Sequence, residues 1–235
     1  MTGRPRALFK YKVQPFQRVG GKEYSKIALK VLQNQLTVTL PLALFKAAFT
    51  PSDARPETVP GPLKALGLII FNVLCTEVGF YQVHSFLHSP WWYARFHKQH
   101  HEFTAPVGLA ATYCTAFEHV FSNLLPNTLG TSLTQSHWGV MMFVYCFLSV
   151  ETIMAHSGYN VPFTHSSLNH DFHHFAFDEN FGPTGLMDTI YGTNKKYKRT
   201  LQQAKLKFAG DTRKARAALL SQLAAEEIKA GGKEL

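Results

Sequence analysis

The chain has 235 residues and a mass of 26.4 kDa, enough for one substantial domain, and no composition break asks for a second. Apolar residues make up 46% and mean hydropathy is -0.09, so the averages exclude nothing and any membrane character has to be read from where those residues lie. The net charge of +9 is compatible with nucleic acid, anionic lipid or an acidic protein, while Cys75, Cys114 and Cys146, odd in number and without CxxC spacing, exclude a disulfide framework or zinc ribbon and read as buried free thiols.

Residues 1–26 form a basic arm: Arg4, Arg6, Lys10, Lys12, Arg18, Lys22 and Lys26 stand against Glu23 alone, and Pro5, Pro15 and the Gly20-Gly21 pair break any helix. Four apolar stretches follow, at about 27–48, 63–83, 116–133 and 138–155. None is a clean span of about 20 apolar residues. The first holds Lys30, Gln33, Asn34, Gln35 and Pro41, and the third holds Glu118, His119, Asn123 and Pro126. Helices packed in a bundle tolerate such residues. Residues 27–200 are expected to make one membrane-embedded domain, and 201–235 a basic cytoplasmic tail with an Ala-rich helix from Asp211 to Gly231 whose stripe is Leu219, Leu220, Leu223 and Ile228.

Charge placement gives a topology, because short cytoplasmic loops carry the excess of Lys and Arg. The loop at 49–62 has Asp53 and Glu57 against Arg55, the loop at 127–137 has no charge, and most of the base lies in 1–26, 89–102 and 156–235. Both termini and every histidine cluster therefore face the cytoplasm. The base marks a membrane sidedness and an acidic protein partner, with no call for nucleic acid.

Twelve histidines carry the chemistry. His84 and His88 are four apart; His97, His100 and His101 make one HxxHH triplet, and His170, His173 and His174 another. A pair at this spacing is unremarkable, but one such triplet is expected by chance only about 0.03 times in a chain this rich in histidine. Residues three and four apart share a helical face, so each cluster can aim its rings at one point. Glu77, Tyr81, His84 and His88 share a stripe, which offers Glu77 as the carboxylate that orients a ligand's second nitrogen. So many neutral imidazoles with no thiolate set argue for two metal ions rather than one structural zinc, and at a membrane surface for oxygen chemistry rather than hydrolysis.

His84-Ser-Phe-Leu-His88, His97-Lys-Gln-His100-His101-Glu-Phe-Thr-Ala-Pro, His156-Ser-Gly-Tyr and His170-Asp-Phe-His173-His174 together resemble the fatty acid hydroxylase and sterol desaturase superfamily. The HxxHHEFxAP and HSGY stretches, with Met187 to Thr193, are nearest to its C-4 methylsterol oxidases. The likeness covers roughly residues 65–200, and a fainter one at Tyr11 to Gln17 and Gln33 to Asn34 is similar to fatty acid hydroxylase domain-containing members.

The resemblance implies an all-α integral membrane bundle of about four spanning or embedded helices, with a cytoplasmic histidine-rich cap holding two irons that activate O2 against a lipid C–H bond. It implies His84, His88, His97, His100, His101, His156, His170, His173 and His174 as metal ligands. It also implies residence in the endoplasmic reticulum membrane and electrons from NAD(P)H through a cytochrome b5-type donor and its reductase, since the chain has no GxGxxG after a strand and no haem-attachment motif. Where the superfamily has Tyr-x-His-Pro, this chain has Tyr113-Cys114-Thr115-Ala116, so His119, one turn on, is offered as a substitute ligand. Two readings stay open beside methylsterol oxidation: a fatty acid or sphingolipid hydroxylase or desaturase, and a non-catalytic sterol-binding scaffold.

Overall fold

The computed structural model of the protein describes residues 11–14, 19–161 and 167–209, with Ala215 and Ala218. Most of the basic arm, His165 and nearly all of the helix expected from Asp211 to Gly231 lie outside the described residues. Within them the fold is all helical, and the extended backbone is limited to an isolated antiparallel bridge between Lys12 and Tyr159.

Three helices are long and apolar enough to cross a membrane: α1 (Gly21–Phe49), α2 (Pro62–Leu87) and α5 (Trp138–His156). Helix α1 starts six residues before the expected 27. Gly20 takes an extended conformation (φ -78, ψ 170) that ends the arm, and Glu23 sets an acid in the first turn, where the amide ends favour negative charge. The Gly20-Gly21 pair is thus a helix start. Helix α2 begins on Pro62, whose missing N–H costs nothing in a first turn, and runs one turn past the expected 83, so that it carries His84.

Between α2 and α5 lie a short helical stretch, α3 (residues 90–97), and a longer one, α4 (residues 116–133). Helices α1 and α4 each contain a wide turn, Gln35–Thr39 and His119–Leu124, and each wide turn comes just before a proline, Pro41 or Pro126. A proline lacks the N–H of the helical ladder and its ring crowds the carbonyl four residues earlier. One extra residue in the preceding turn relieves both faults without breaking the helix.

The helices run between two ends. At one end His97 and His156 close α3 and α5; at the other the Trp138 amide donates to the Asp53 carbonyl at 2.7 Å and His137 donates to the Arg55 carbonyl at 3.2 Å. Helix α4 returns the chain from the histidine end, where the Thr115 hydroxyl donates to the Phe96 carbonyl, to the far end. Its polar side packs against α2. Thr76 donates to the Pro126 carbonyl at 3.2 Å, and a Cβ on Gly130 would stand 2.8 Å from Asn72 Cα, so only glycine lets these backbones meet.

The apolar surface faces outward. Leu29, Leu36 and Phe45 of α1, Leu66, Ile70 and Leu74 of α2, and Phe143, Phe147 and Val150 of α5 are exposed. Only 11% of the apolar window of α1, and 17% of those of α2 and α5, is buried, which water would not permit and a bilayer requires. The same inversion corrects the cysteine expectation: Cys114 is buried and Cys75 half-buried, but Cys146 is exposed on the outer face of α5.

Ordinary cores form at the histidine end. Leu168 and Phe172 of α6 (Ser167–Ala176) pack on Val13 and on Tyr197 of α8 (Lys195–Lys207), each large side chain contributing about 2 kcal/mol when fully buried. Tyr81 of α2 packs on Phe181 and on Met187 of α7 (Leu186–Tyr191). The first cluster holds α6 itself and the second holds Phe181 in the segment that follows it.

Candidate metal centre

Helix α2 delivers His84 and its cap residue His88, α3 delivers His97, the tight turn His100–Glu102 delivers His100 and His101, α5 ends on His156, and α6 supplies His170, His173 and His174. Successive helical residues point about 100° apart, so adjacent histidines serve different points. His84, His88, His97, His101 and His173 form one group, and His100, His156, His170 and His174 a second. Within each group the ring nitrogens lie within 4.8 Å of one another. The groups adjoin: the His101 and His174 ring centroids are 4.5 Å apart. The structure therefore brings together all nine histidines singled out from the sequence.

Hydrogen bonds decide which nitrogen of each ring carries its proton. Nδ1 of His84 lies 2.6 Å from the Phe181 carbonyl, Nδ1 of His156 2.8 Å from the Thr152 carbonyl, and Nδ1 of His173 2.8 Å from the Glu179 carbonyl. A carbonyl only accepts, so these three Nδ1 atoms donate, and the neutral rings turn bare Nε2 lone pairs inward. His173 Nε2 is buried with no partner. His84 Nε2 faces His97 Nε2 at 3.1 Å, and Nδ1 of His97 is bound to the Glu118 carboxyl at 2.8 Å. With the His97 proton on Nδ1, facing that carboxyl, two bare nitrogens would confront each other.

A cation resolves that conflict, and the spacing fits one. Imidazoles bonded to a metal at about 2.1 Å stand roughly 3 Å apart when adjacent in its coordination sphere. The Nε2 separations are 3.0 Å for His88–His97 and His97–His101, 3.3 Å for His100–His156, 2.8 Å for His156–His170 and 2.9 Å for His170–His174. Burial first, and neighbouring rings second, push His88, His97, His100, His101, His170, His173 and His174 down from the usual histidine range. The neutral form favoured in this way is the one that binds metal.

Two expectations need correction. Glu77 does not reach an imidazole: its carboxylate accepts the Thr184 and Met187 amides at 2.8 and 2.9 Å. Together with Asp188, which accepts the Phe181 and Gly182 amides at 2.8 Å, it fixes the loop whose Phe181 carbonyl receives His84. Among the described residues the acid that touches a ring is Glu118, which the sequence shows only as a charge inside an apolar stretch; that oddity was the available signal. His119, offered as a substitute ligand, lies outside both groups and pairs through Nε2 with the Thr39 hydroxyl at 2.8 Å. Glu118 takes the direction toward His97, and the next residue points elsewhere, toward α1. Thr115 caps α4 by accepting the Glu118 amide at 3.2 Å.

A cavity of about 290 Å³ reaches the second group, with His156 and His170 in its wall beside Phe80, Phe147, Leu148 and Thr152. The arrangement thus pairs a buried imidazole cluster with an apolar approach from the spanning helices.

The family profile described as fatty acid hydroxylase matches residues 69–193, a span that contains all nine histidines. The chain belongs to the fatty acid hydroxylase family. Among relatives in that family, it is 38% identical over 236 residues to fatty acid hydroxylase ahd1 of Mycosarcoma maydis, covering 97% of this chain and 61% of that protein. It is 33% identical over 208 residues to fatty acid hydroxylase domain-containing protein 2 of Homo sapiens, covering 85% of this chain and 61% of the relative. It is 30% identical over 218 residues to methylsterol monooxygenase 1-2 of Arabidopsis thaliana, covering 84% of this chain and 72% of the relative. This fatty acid hydroxylase family member spans 61% of the length of the first two. No solved structure matches the chain.

Proposed function

We propose that the protein is an O2-dependent di-iron oxygenase of a membrane lipid, acting at a C-4 methyl group of a sterol. The observation that supports this most is the pair of adjoining histidine groups, the second of which lines an apolar cavity. His84, His88, His97, His101 and His173 would hold one iron, and His100, His156, His170 and His174 the other. Iron in both groups supplies the redox chemistry by which O2, two electrons and two protons convert a C–H bond to C–OH and release water. The chain's own residues do the rest. The carbonyls of Phe181, Thr152 and Glu179 and the Glu118 carboxyl fix four rings, and the cavity's apolar wall excludes water and orients the lipid.

The electrons come from NAD(P)H through a cytochrome b5-type donor and its reductase, docking on the basic face. That face is cytoplasmic by the positive-inside rule, with both termini on the same side and the protein in the endoplasmic reticulum membrane.

Lipid profiling of cells lacking the protein tests this reading. Accumulation of 4-methylsterols is the expected result. Hydroxylation of an acyl chain is a second reading, favoured by the fungal relative named fatty acid hydroxylase, at 38% identity against 30% for the methylsterol monooxygenase. Loss of hydroxylated acyl chains with unchanged sterols would establish that reading in place of the first.

A further inference from the structure

Tyr11 to Gln14, in the basic arm, cross the histidine end as a strap. The Val13 amide donates to the Gly158 carbonyl and the Asn160 amide to the Tyr11 carbonyl, each at 2.9 Å, which makes the antiparallel bridge of Lys12 with Tyr159. Gln14 Nε2 donates to the Thr104 carbonyl at 3.1 Å, and Lys12 Nζ lies 4.8 Å from the centre of the Tyr159 ring. Val13 is buried on Leu168 and Phe172 of α6. Gly158 turns at φ +65, a conformation that favours glycine, and a Cβ there would stand against the Lys12 side chain. The HEFxAP and HSGY stretches thus gain a reason for positions that bind no metal: Thr104 and Gly158 receive the strap.

These contacts fall on particular ligand-bearing segments. Thr104 follows the turn that carries His100, Gly158 follows His156, and Leu168 and Phe172 flank His170 on α6. Every histidine of the second group therefore sits on a strapped segment. In the first group His84, His88 and His97 come from α2 and α3, outside the contacts just given. Asp171 stands between the ligands His170 and His173, 1% exposed, with neither carboxylate oxygen hydrogen-bonded. A carboxylate so buried is costly unless a cation or donor faces it. Lys12 and Gln14, both on the strap, are the groups that favour its charged form. Without them α6 could satisfy Asp171 by turning it toward water, and that rotation would carry His170 and His174 away from His100 and His156.

We propose that residues 11–14 are positioning residues of the second metal site: they hold the two loops and the helix that carry His100, His156, His170 and His174, while His84, His88 and His97 keep the first site without them. The inference rests on the two-metal reading above and deepens it, because it gives the two sites different supports.

The test uses the full chain in detergent, loaded with iron. Lys12→Met removes the charge and keeps the apolar cluster, Val13→Asp puts a charge into that cluster, and Lys12→Arg and Val13→Ile are the conservative controls. Loss of a ligand's support lowers metal affinity by about 10- to 100-fold, so in the first two variants a chelator should remove one of the two irons that much more readily and the other as in the wild type. The controls should restore wild-type binding. The second readout is modification by diethyl pyrocarbonate, followed residue by residue in the metal-free chain. His100, His156, His170 and His174 should react faster in Lys12→Met and Val13→Asp, with His84 and His88 unchanged. Two irons held as in the wild type, or both loosened alike, overturn the inference, and Lys12→Met alone decides if Val13→Asp does not fold. A wild-type chain that takes up no iron removes the two-metal reading, and the modification pattern then decides the strap: selective reactivity keeps it, and uniform or unchanged reactivity overturns it.

Discussion

Glu118 and His119 are neighbours with different work, and their replacement should separate cleanly. Glu118→Gln leaves the volume but weakens the hold on His97; loss of such a partner lowers metal affinity by about 10- to 100-fold, measurable by chelator competition. His119→Ala should leave metal content at the wild-type level, because its ring pairs with Thr39 and joins neither group. A drop in metal equal to that of a ligand mutant would return His119 to the centre. His97→Ala, His101→Ala and His173→Ala should each abolish turnover and lower bound metal. His137→Ala should keep turnover, since that ring caps α5 at the far end by accepting the Gly139 amide at 3.0 Å. At this scale the sequence was legible where spacing and rarity agreed, as in the two triplets. It was misleading at Glu77 and His119, because a shared helical stripe fixes a direction and leaves the partner at its end unspecified.

The elements were legible by their apolar runs, less so at their ends. Hydropathy marked α2 yet stopped short of His84, because a helix ends where its backbone groups find other partners and not where it turns polar. The wide turns ahead of Pro41 and Pro126 had a sequence signal in the prolines themselves. The contact of α4 with α2 had one in Gly130, unread because only the partner's backbone makes glycine necessary. Gly130→Leu should force these helices apart and lower the thermal unfolding midpoint in detergent by several degrees, with overpacking costing about 1–3 kcal/mol. An unchanged midpoint would show that the close approach carries no stability.

For the whole molecule, the inverted surface, apolar outside and polar at one end, makes the bilayer the solvent of the spanning helices. Both chain ends should be cleaved by protease added outside sealed microsomes, and a tag inserted near Arg55, in the loop 50–61, should be protected. A protected terminus would contradict the assigned sidedness and place the histidine groups away from a cytoplasmic electron donor. The family and helical architecture were readable from motifs. The division of nine histidines into groups of five and four was not, because it depends on which turn of which helix faces which group.

The central claim is that these groups hold two irons. Its most direct test is metal analysis of the detergent-purified protein from iron-replete cells, with Mössbauer spectra of material enriched in 57Fe. The account predicts about two irons per chain in nitrogen-rich, adjacent sites, about one in a His170→Ala/His174→Ala double variant, and none after chelation. Zinc in place of iron, or a wild-type protein that carries no metal, would contradict it.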